Sequence, residues 1–260
     1  MIVFTNDKKR LLAHCEKDKV LFAYHLGDLD DFYFNDCQWA SIYGDRPHIE
    51  DLVLIYYGGH TPTVLAFGLT ERFEELMHDV LDMLPNRFYC HFQKKSLPLL
   101  TTRCTYKPLG THFKMTVSTF RATAENEHAA HMCRLSEADE SRLIALYDRH
   151  YPGHYFTPRM LQTGKYFGYV VDRELVAAAG VHVDSKQYRV AVLGNIATAE
   201  NVRGRGIAGA LTSRLTEELL KEKKLVCLNV RADNSAALAC YRKLGFETVH
   251  EYEEGLFELV

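Results

Sequence analysis

The sequence predicts a mixed α/β protein, and three observations carry that prediction. Apolar residues make up 47% and charged residues 25% of the 260-residue chain, the balance of a packed globular core rather than of disorder or a fibre. Short apolar runs bounded by Gly, Pro, Asn and Asp alternate with longer segments of helical period. One stretch, residues 193–209, passes from an apolar strand through a polar loop and a glycine-dense turn into a helix, an order typical of α/β folds.

In chain order, residues 52–57 and 63–69 read as a hairpin about Gly58-Gly59-His60-Thr61-Pro62. Residues 71–84 form an amphipathic helix with Phe73, Leu76, Val80 and Leu84 on one face. Residues 88–92 and 112–117 are further strands. Residues 119–131 are small, polar and without strand alternation, so they read as a connection. They divide the chain into a 1–120 domain and a 130–260 domain.

In the second half, Ser136-Glu137-Ala138-Asp139 opens a helix over 142–149, with Ser or Asp capping its exposed N–H groups. An aromatic loop at 150–158 and a short helix at 159–162 follow. Residues 166–171 and 175–183 form a hairpin about Asp172-Arg173-Glu174, and 188–198 is another strand. The strongest helix is 206–223, with Ile207, Leu211, Leu215 and Leu219 on one face and Glu217/Lys221 spaced for an i,i+4 pair. A buried strand at 225–230 precedes a helix at 234–244 that Gly245 ends. Residues 246–260 read as a final pair of strands around Gly255.

Composition closes off several functions. A net charge of −3 gives no electrostatic reason to seek nucleic acid or an anionic membrane. The longest apolar stretch falls well short of the roughly 20 residues that span a bilayer, and the N-terminal charges follow a very short apolar run, the reverse of a secretory signal. The seven cysteines (Cys15, Cys37, Cys90, Cys104, Cys133, Cys227, Cys240) are odd in number and form no Cys-x-x-Cys pair. That argues against a disulfide framework or a zinc module, and for a reducing, cytoplasmic setting. His128, His131 and Cys133 lie close in sequence but have no fourth ligand nearby, so no metal is expected.

The chemistry concentrates at Arg203-Gly204-Arg205-Gly206-Ile207-Ala208. The first N–H groups of a helix lack intrahelical partners, and its dipole favours negative charge there. Gly204 and Gly206 let an anion approach the backbone, and Arg203 and Arg205 add positive charge where free cations are disfavoured. The segment is a diphosphate cradle. Gly204, Gly206 and Gly209 also match the G-x-G-x-x-G of dinucleotide folds, but Ala199–Arg203 separate the strand from the first glycine. No Gly-Lys-Ser/Thr is present, which excludes a P-loop.

With Asn234, Tyr241 and Gly245-Phe246 downstream, the segment resembles the GNAT superfamily of acyl-CoA-dependent N-acyltransferases, over roughly residues 130–260. The resemblance implies a GNAT fold with acetyl-CoA as cosubstrate and direct transfer of acetyl to a primary amine of a small molecule. It implies that pantetheine pairs with the backbone of Ile196, Ala197 and Thr198, beside a splay from residues 225–230. The pyrophosphate sits on the N–H groups of Arg203, Gly204, Arg205, Gly206, Ile207 and Ala208, and Asn234 hydrogen-bonds the pantetheine side. Tyr241 protonates the departing thiolate, a fitting task for a phenol whose ordinary pKa is near 10. Gly194-Asn195 stands where many relatives carry a glutamate base, leaving His182, Asp184 or a water chain. That departure also keeps open a cofactor-binding sensor without turnover, and acetylation of a protein N-terminus or lysine remains a further alternative.

Two features stay open between function and packing. Tyr151, His154, Tyr155 and Phe156 either line an acceptor pocket or form a packed turn. Asp28, Asp30, Asp31 and Asp36 with Trp39 either attract an amine or are solvated. The first half carries no glycine–arginine turn, and its hairpin–helix–strand order reads as a degenerate copy of the second.

Overall fold

The computed structural model describes residues 2–44, 48–123, 128–222 and 225–260. The chain divides into two compact units that are not sequential halves. The first comprises Met1–Lys114, Arg231–Asp233 and Val249–Val260, and the second Met115–Val230 and Asn234–Thr248.

The first unit begins with β1 (Ile2–Phe4), α1 (Lys8–Cys15), α2 (Ala23–Asp28) and α3 (Asp31–Phe34). It continues with β2 (Cys37–Tyr43), β3 (Ile49–Tyr56), β4 (Thr63–Ala66), α4 (Phe73–Leu81), β5 (Arg87–Phe92), α5 (Leu97–Leu100) and β6 (Cys104–Val117, to Lys114 in this unit). The pairs β1–β2, β2–β3 and β3–β4 are antiparallel, and β4–β5 is parallel. The helical period read from the sequence holds: Phe73, Leu76, Met77, Val80 and Leu81 bury one face of α4 against Val53, Ile55 and Val64 of the sheet. Helices α1–α3 and strand β2 were not foreseen, and they contribute core residues Leu11, Leu26, Tyr33 and Trp39.

The second unit holds β7 (Met132–Arg134), α6 (Glu140–His150), β8 (Phe167–Val171), β9 (Glu174–Ser185), β10 (Val190–Thr198), α7 (Ile207–Glu222), β11 (Leu225–Arg231), α8 (Ser235–Lys243) and the start of β12 (Phe246–Leu259). Strands β7 to β10 are antiparallel neighbours in sequence order, and β10–β11 is parallel. Each unit thus repeats one plan: strand, helical segment, three antiparallel strands, helix, parallel strand. Val176, Ala177, Ala178, Ala179 and Val181 are all buried on β9. Burial at successive positions means both strand faces are covered, as in a central strand flanked by helices, and α6 and α7 both pack on β9.

Ser136 and Asp139 form a reciprocal capping box ahead of α6. The short helix expected at 159–162 is a 3₁₀ helix, Pro158–Thr163, bracketed by the proline and by Gly164 in the left-handed region. The expected pair of strands at the C-terminus is one continuous strand, β12. Gly255 does not turn the chain: a Cβ there would lie 2.2 Å from the Tyr106 ring. This glycine serves a close ring–backbone approach, which sequence alone does not separate from a turn. The connection expected at 119–131 lies partly outside the described residues, at 124–127. Before that gap, Arg121 N–H donates to the Leu244 carbonyl and Thr123 N–H to Ser213 Oγ, both at 3.0 Å.

Candidate functional site

Strands β10 and β11 pair from Val190↔Leu225 to Leu193↔Leu228, and no register pair joins them beyond. Both continue, β10 to Thr198 and β11 to Arg231. Ala197 and Thr198 keep their partners Ala178 and Ala177 on β9, so Ala197–Thr198 is laddered on one side and, like Ile196, has no β11 partner on the other. Unpaired strand edges are templates for an added extended chain. The corresponding β4–β5 pair of the first unit runs in register from Thr63↔Tyr89 to Ala66↔Phe92, the last residue of each strand. The wedge opens in the second unit only.

The turn after β10 leads directly to α7. Gly204 and Gly206 sit at φ +77° and +78°, the left-handed region that a side chain resists. Arg203, Gly204, Arg205 and Gly206 are exposed, Ile207 is buried and Ala208 half-buried. The Arg203 guanidinium donates to the Thr198 carbonyl at 3.0 Å and to the His150 carbonyl at 3.3 Å. Arg203 therefore ties the turn to the open end of β10, which charge arguments alone did not foresee. His128 reaches the same turn: its Nε2 is 3.5 Å from where a Cβ on Gly206 would stand, and its Nδ1 is 3.1 Å from the Tyr169 hydroxyl.

Tyr241 is buried on α8, with its ring edge toward Phe246. Burial pushes its hydroxyl well above the ordinary phenol range, with Cys240 and Tyr151 adding to the effect, so it is a proton donor throughout the neutral range. Helix α8 lies against the first turns of α7, since a Cβ on Gly209 would be 3.4 Å from Cys240 Sγ. Asn234 is exposed and caps α8, its Oδ1 accepting the Ala237 N–H at 3.1 Å. Its carbonyl is committed to the cap.

Between these parts lies a polar network that the sequence reading missed. Asn195, at φ +53°, is buried. Its Nδ2 donates to the Tyr166 hydroxyl at 3.1 Å and the Tyr155 carbonyl at 3.3 Å. The buried Tyr147 hydroxyl donates to the Asn195 carbonyl at 2.7 Å. The sequence signal was the Asn after Gly194, a residue type tolerated in the left-handed region.

The aromatic loop divides its roles. Phe156 is core, packed on Tyr147 and Tyr166. His154 pairs with Asp148, Tyr151 is exposed, and Tyr155 lies edge-on to His182 at 6.1 Å. The acidic residues of the first half take different places: Asp28 is buried, its carboxyl pushed up by burial and by the Asp36 charge, Asp30 caps α3, Asp31 pairs with Lys8, and Trp39 is in the core. His128 and His131 turn their Nδ1 atoms to Tyr169 and to the Val170 carbonyl. Among the described residues, no group of three or more His, Cys, Asp or Glu is placed to hold a metal ion. No described helix is long and apolar enough to cross a membrane.

Comparison with known proteins agrees with this geometry. Residues 123–246 match the model of the acetyltransferase (GNAT) family. A curated acetyltransferase of Pectobacterium atrosepticum is 50% identical over 48 residues, 18% of this chain and 34% of that protein, so the match spans about a third of the relative's length. A GNAT-family structure from Novosphingobium aromaticivorans superposes with a TM-score of 0.61 at 14% identity, covering 85% of this chain and 91% of that one. A Drosophila protein gives 0.74 at 13% identity, covering 100% and 98%. A tandem GNAT protein from the clavulanic acid biosynthesis pathway gives 0.54 at 11% identity, covering 99% and 98%. At these identities the structural likeness is one of fold.

Proposed function

We propose that this chain, whose residues 123–246 match the model of the acetyltransferase (GNAT) family, transfers acetyl from acetyl-CoA to the primary amine of a small molecule. The observation that carries the reading is the β10–β11 pairing that stops at Leu193↔Leu228 just ahead of the two left-handed glycines. An opened strand edge suits the amide-bearing pantetheine arm. The turn's N–H groups at the head of α7 suit its diphosphate.

In this reading the backbone of Ile196, Ala197 and Thr198, beyond the last β10–β11 pair, aligns the thioester and helps to polarise its carbonyl oxygen. Arg203, Gly204, Arg205, Gly206, Ile207 and Ala208 hold the diphosphate, and the Asn234 amide, free of the cap, faces the pantetheine. The amine nitrogen bonds to the acyl carbon, the carbon–sulfur bond breaks, and the thiolate takes the Tyr241 hydroxyl proton. The second nitrogen proton then restores Tyr241. No cysteine takes part. The reaction requires neither nucleic acid nor a membrane, and the cysteine pattern fits a cytoplasmic protein.

A second reading has its own observation: Gly194 and Asn195 supply no carboxylate beside the wedge, as in a module that binds acyl-CoA without turnover. Calorimetric titration with acetyl-CoA, CoA and NAD tests the shared premise, with binding of the first two and not the third expected. Thiol release across a panel of primary amines then separates enzyme from sensor. A preference for NAD would sink both readings.

A further inference from the structure

We propose that the His182 imidazole takes the proton from the acceptor amine, an assignment that rests on the acyl-transfer reading of the second unit. Strands β9 and β10 pair with two irregularities, each within two residues of Gly194. Val192 faces Val183 but Leu193 faces Val181, so His182 is an extra residue on β9. Gly194 then faces Gly180 while Ala197 faces Ala178, so β10 carries its own extra residue, with Asn195 in the left-handed region. The two insertions cancel, and the outer register is restored. Bulges of this kind re-aim side chains, often beside active sites. The corresponding β3–β4 pair of the first unit is regular from Val53↔Ala66 to Tyr56↔Thr63. Its β4–β5 neighbour is also the pair that stays closed.

The bulge lays the His182 ring across the backbone of Gly194. A Cβ on Gly194 would lie 2.3 Å from His182 Cδ2 and Nε2 and 2.6 Å from Cε1, so the position of the ring requires glycine there. Gly194 directly follows Leu193, where the β10–β11 pairing ends, which puts the imidazole beside the mouth of the wedge. Glu174 and Asp184 are the other titratable groups on this strand; Glu174 lies at its far end opposite Val171, and Asp184 faces Ala191 in regular register, where Ala191 still pairs with Val226. Asp184 therefore stands alongside the closed part of the sheet. Tyr155 packs edge-on to the imidazole, ring centroids 6.1 Å apart, and its carbonyl accepts from Asn195 Nδ2. Tyr147 and Tyr166 lie behind Asn195.

The proton balance is complete without another reactant. The ammonium gives one proton to the neutral imidazole, which releases it to solvent. The amine then attacks as described, and Tyr241 supplies the thiolate proton. Only the neutral imidazole accepts the proton, so kcat/KM for thiol release falls as pH drops, with an imidazole-controlled acid limb.

The test measures thiol release from acetyl-CoA between pH 5.5 and 9 with four probes: a monoamine, a polyamine, an amino sugar and an aminoacyl peptide. His182→Gln is expected to lose about 100-fold in kcat/KM and to abolish the acid limb, with acetyl-CoA affinity by calorimetry unchanged. Gly194→Ala, which displaces the ring while keeping the histidine, is expected to show the same loss. The double variant His182→Ala/Gly194→Glu places a carboxylate in the vacated space and is expected to recover about tenfold over His182→Ala. A His182→Gln enzyme with the wild-type pH profile and kcat/KM within about threefold would overturn the assignment while leaving the transfer reading intact. Wild type that binds acetyl-CoA but releases no thiol with any probe would overturn the transfer reading and this assignment with it.

Discussion

The Asp51 carboxylate accepts the Leu69 backbone N–H at 2.6 Å. It also accepts the Thr70 N–H and hydroxyl, and Asp51 itself is fully buried on β3. Leu69 and Thr70 lie in the turn between β4 and α4, the counterpart of the glycine turn before α7. The first unit thus meets its exposed turn amides with an internal anion; in the second the Arg203 N–H turns back to the Glu200 carbonyl at 3.3 Å, and no carboxylate among the described residues plays the part of Asp51. Two outcomes are expected. Acetyl-CoA should bind at one molecule per chain by calorimetry. Asp51→Asn is expected to destabilise the protein by about 1.5–3 kcal/mol in urea denaturation, the scale of charge-assisted hydrogen bonds, without adding a second site.

Tyr241→Phe removes the proton donor and leaves the ring packed against Phe246. Thiol release is expected to fall by about 10²–10³-fold in kcat, with acetyl-CoA affinity kept. Because burial raises the hydroxyl's pKa, the wild-type profile shows no basic limb from this group below pH 10. Stopped-flow thiol detection on both proteins checks both statements. An unchanged kcat in the phenylalanine variant removes Tyr241 from the chemistry.

Gly204→Ala separates backbone conformation from crowding at the turn. Nothing lies within 4 Å of the added Cβ, yet φ is +77°. The variant is expected to lose about 1–2 kcal/mol of stability from the left-handed strain. Acetyl-CoA affinity is expected to fall about tenfold as the turn relaxes and its N–H groups lose alignment. Thermal denaturation and calorimetry read the two effects separately.

These contrasts show where the fold and site were legible in the sequence. Arg203–Ala208 could be read because a glycine-dense turn entering a helix has a local physical meaning, and Ile207, Leu211, Leu215 and Leu219 announced α7 by period alone. The β9–β10 bulges could not be read. Register depends on which residues face each other across strands, and nothing in Gly194-Asn195 or His182 separately reveals the extra residue on each side. Asp51 was silent for the same reason: its partners are 18 and 19 residues away. Gly255 misled because a ring-facing glycine and a turn glycine look alike in one dimension. Helices α1–α3 escaped because they are short, eight residues or fewer, and their buried residues set no long period.

Glu218 on α7 ties the helix to the strand side of the second unit through Arg134 and Lys165. Lys165 Nζ is 2.9 Å and Arg134 Nη2 2.5 Å from its carboxylate oxygens. Burial pushes this carboxyl up, but hydrogen bonds from Arg134 and Lys165 and their charges overcome it and hold the pKa at about 2. The unfolded chain titrates near the ordinary 4.5, so below that value the unfolded state binds more protons than the folded one. The contribution is therefore fully present above about pH 4.5 and is lost as pH falls toward 2. With the carboxylate only partly screened by solvent, about 1–2 kcal/mol is expected. Urea denaturation at pH 7 should show Glu218→Gln less stable than wild type by that amount, and the gap should narrow steadily between pH 4.5 and 3. A gap independent of pH would assign the loss to packing of the α7 face rather than to the ion pairs, since a neutral amide cannot follow the carboxylate's titration.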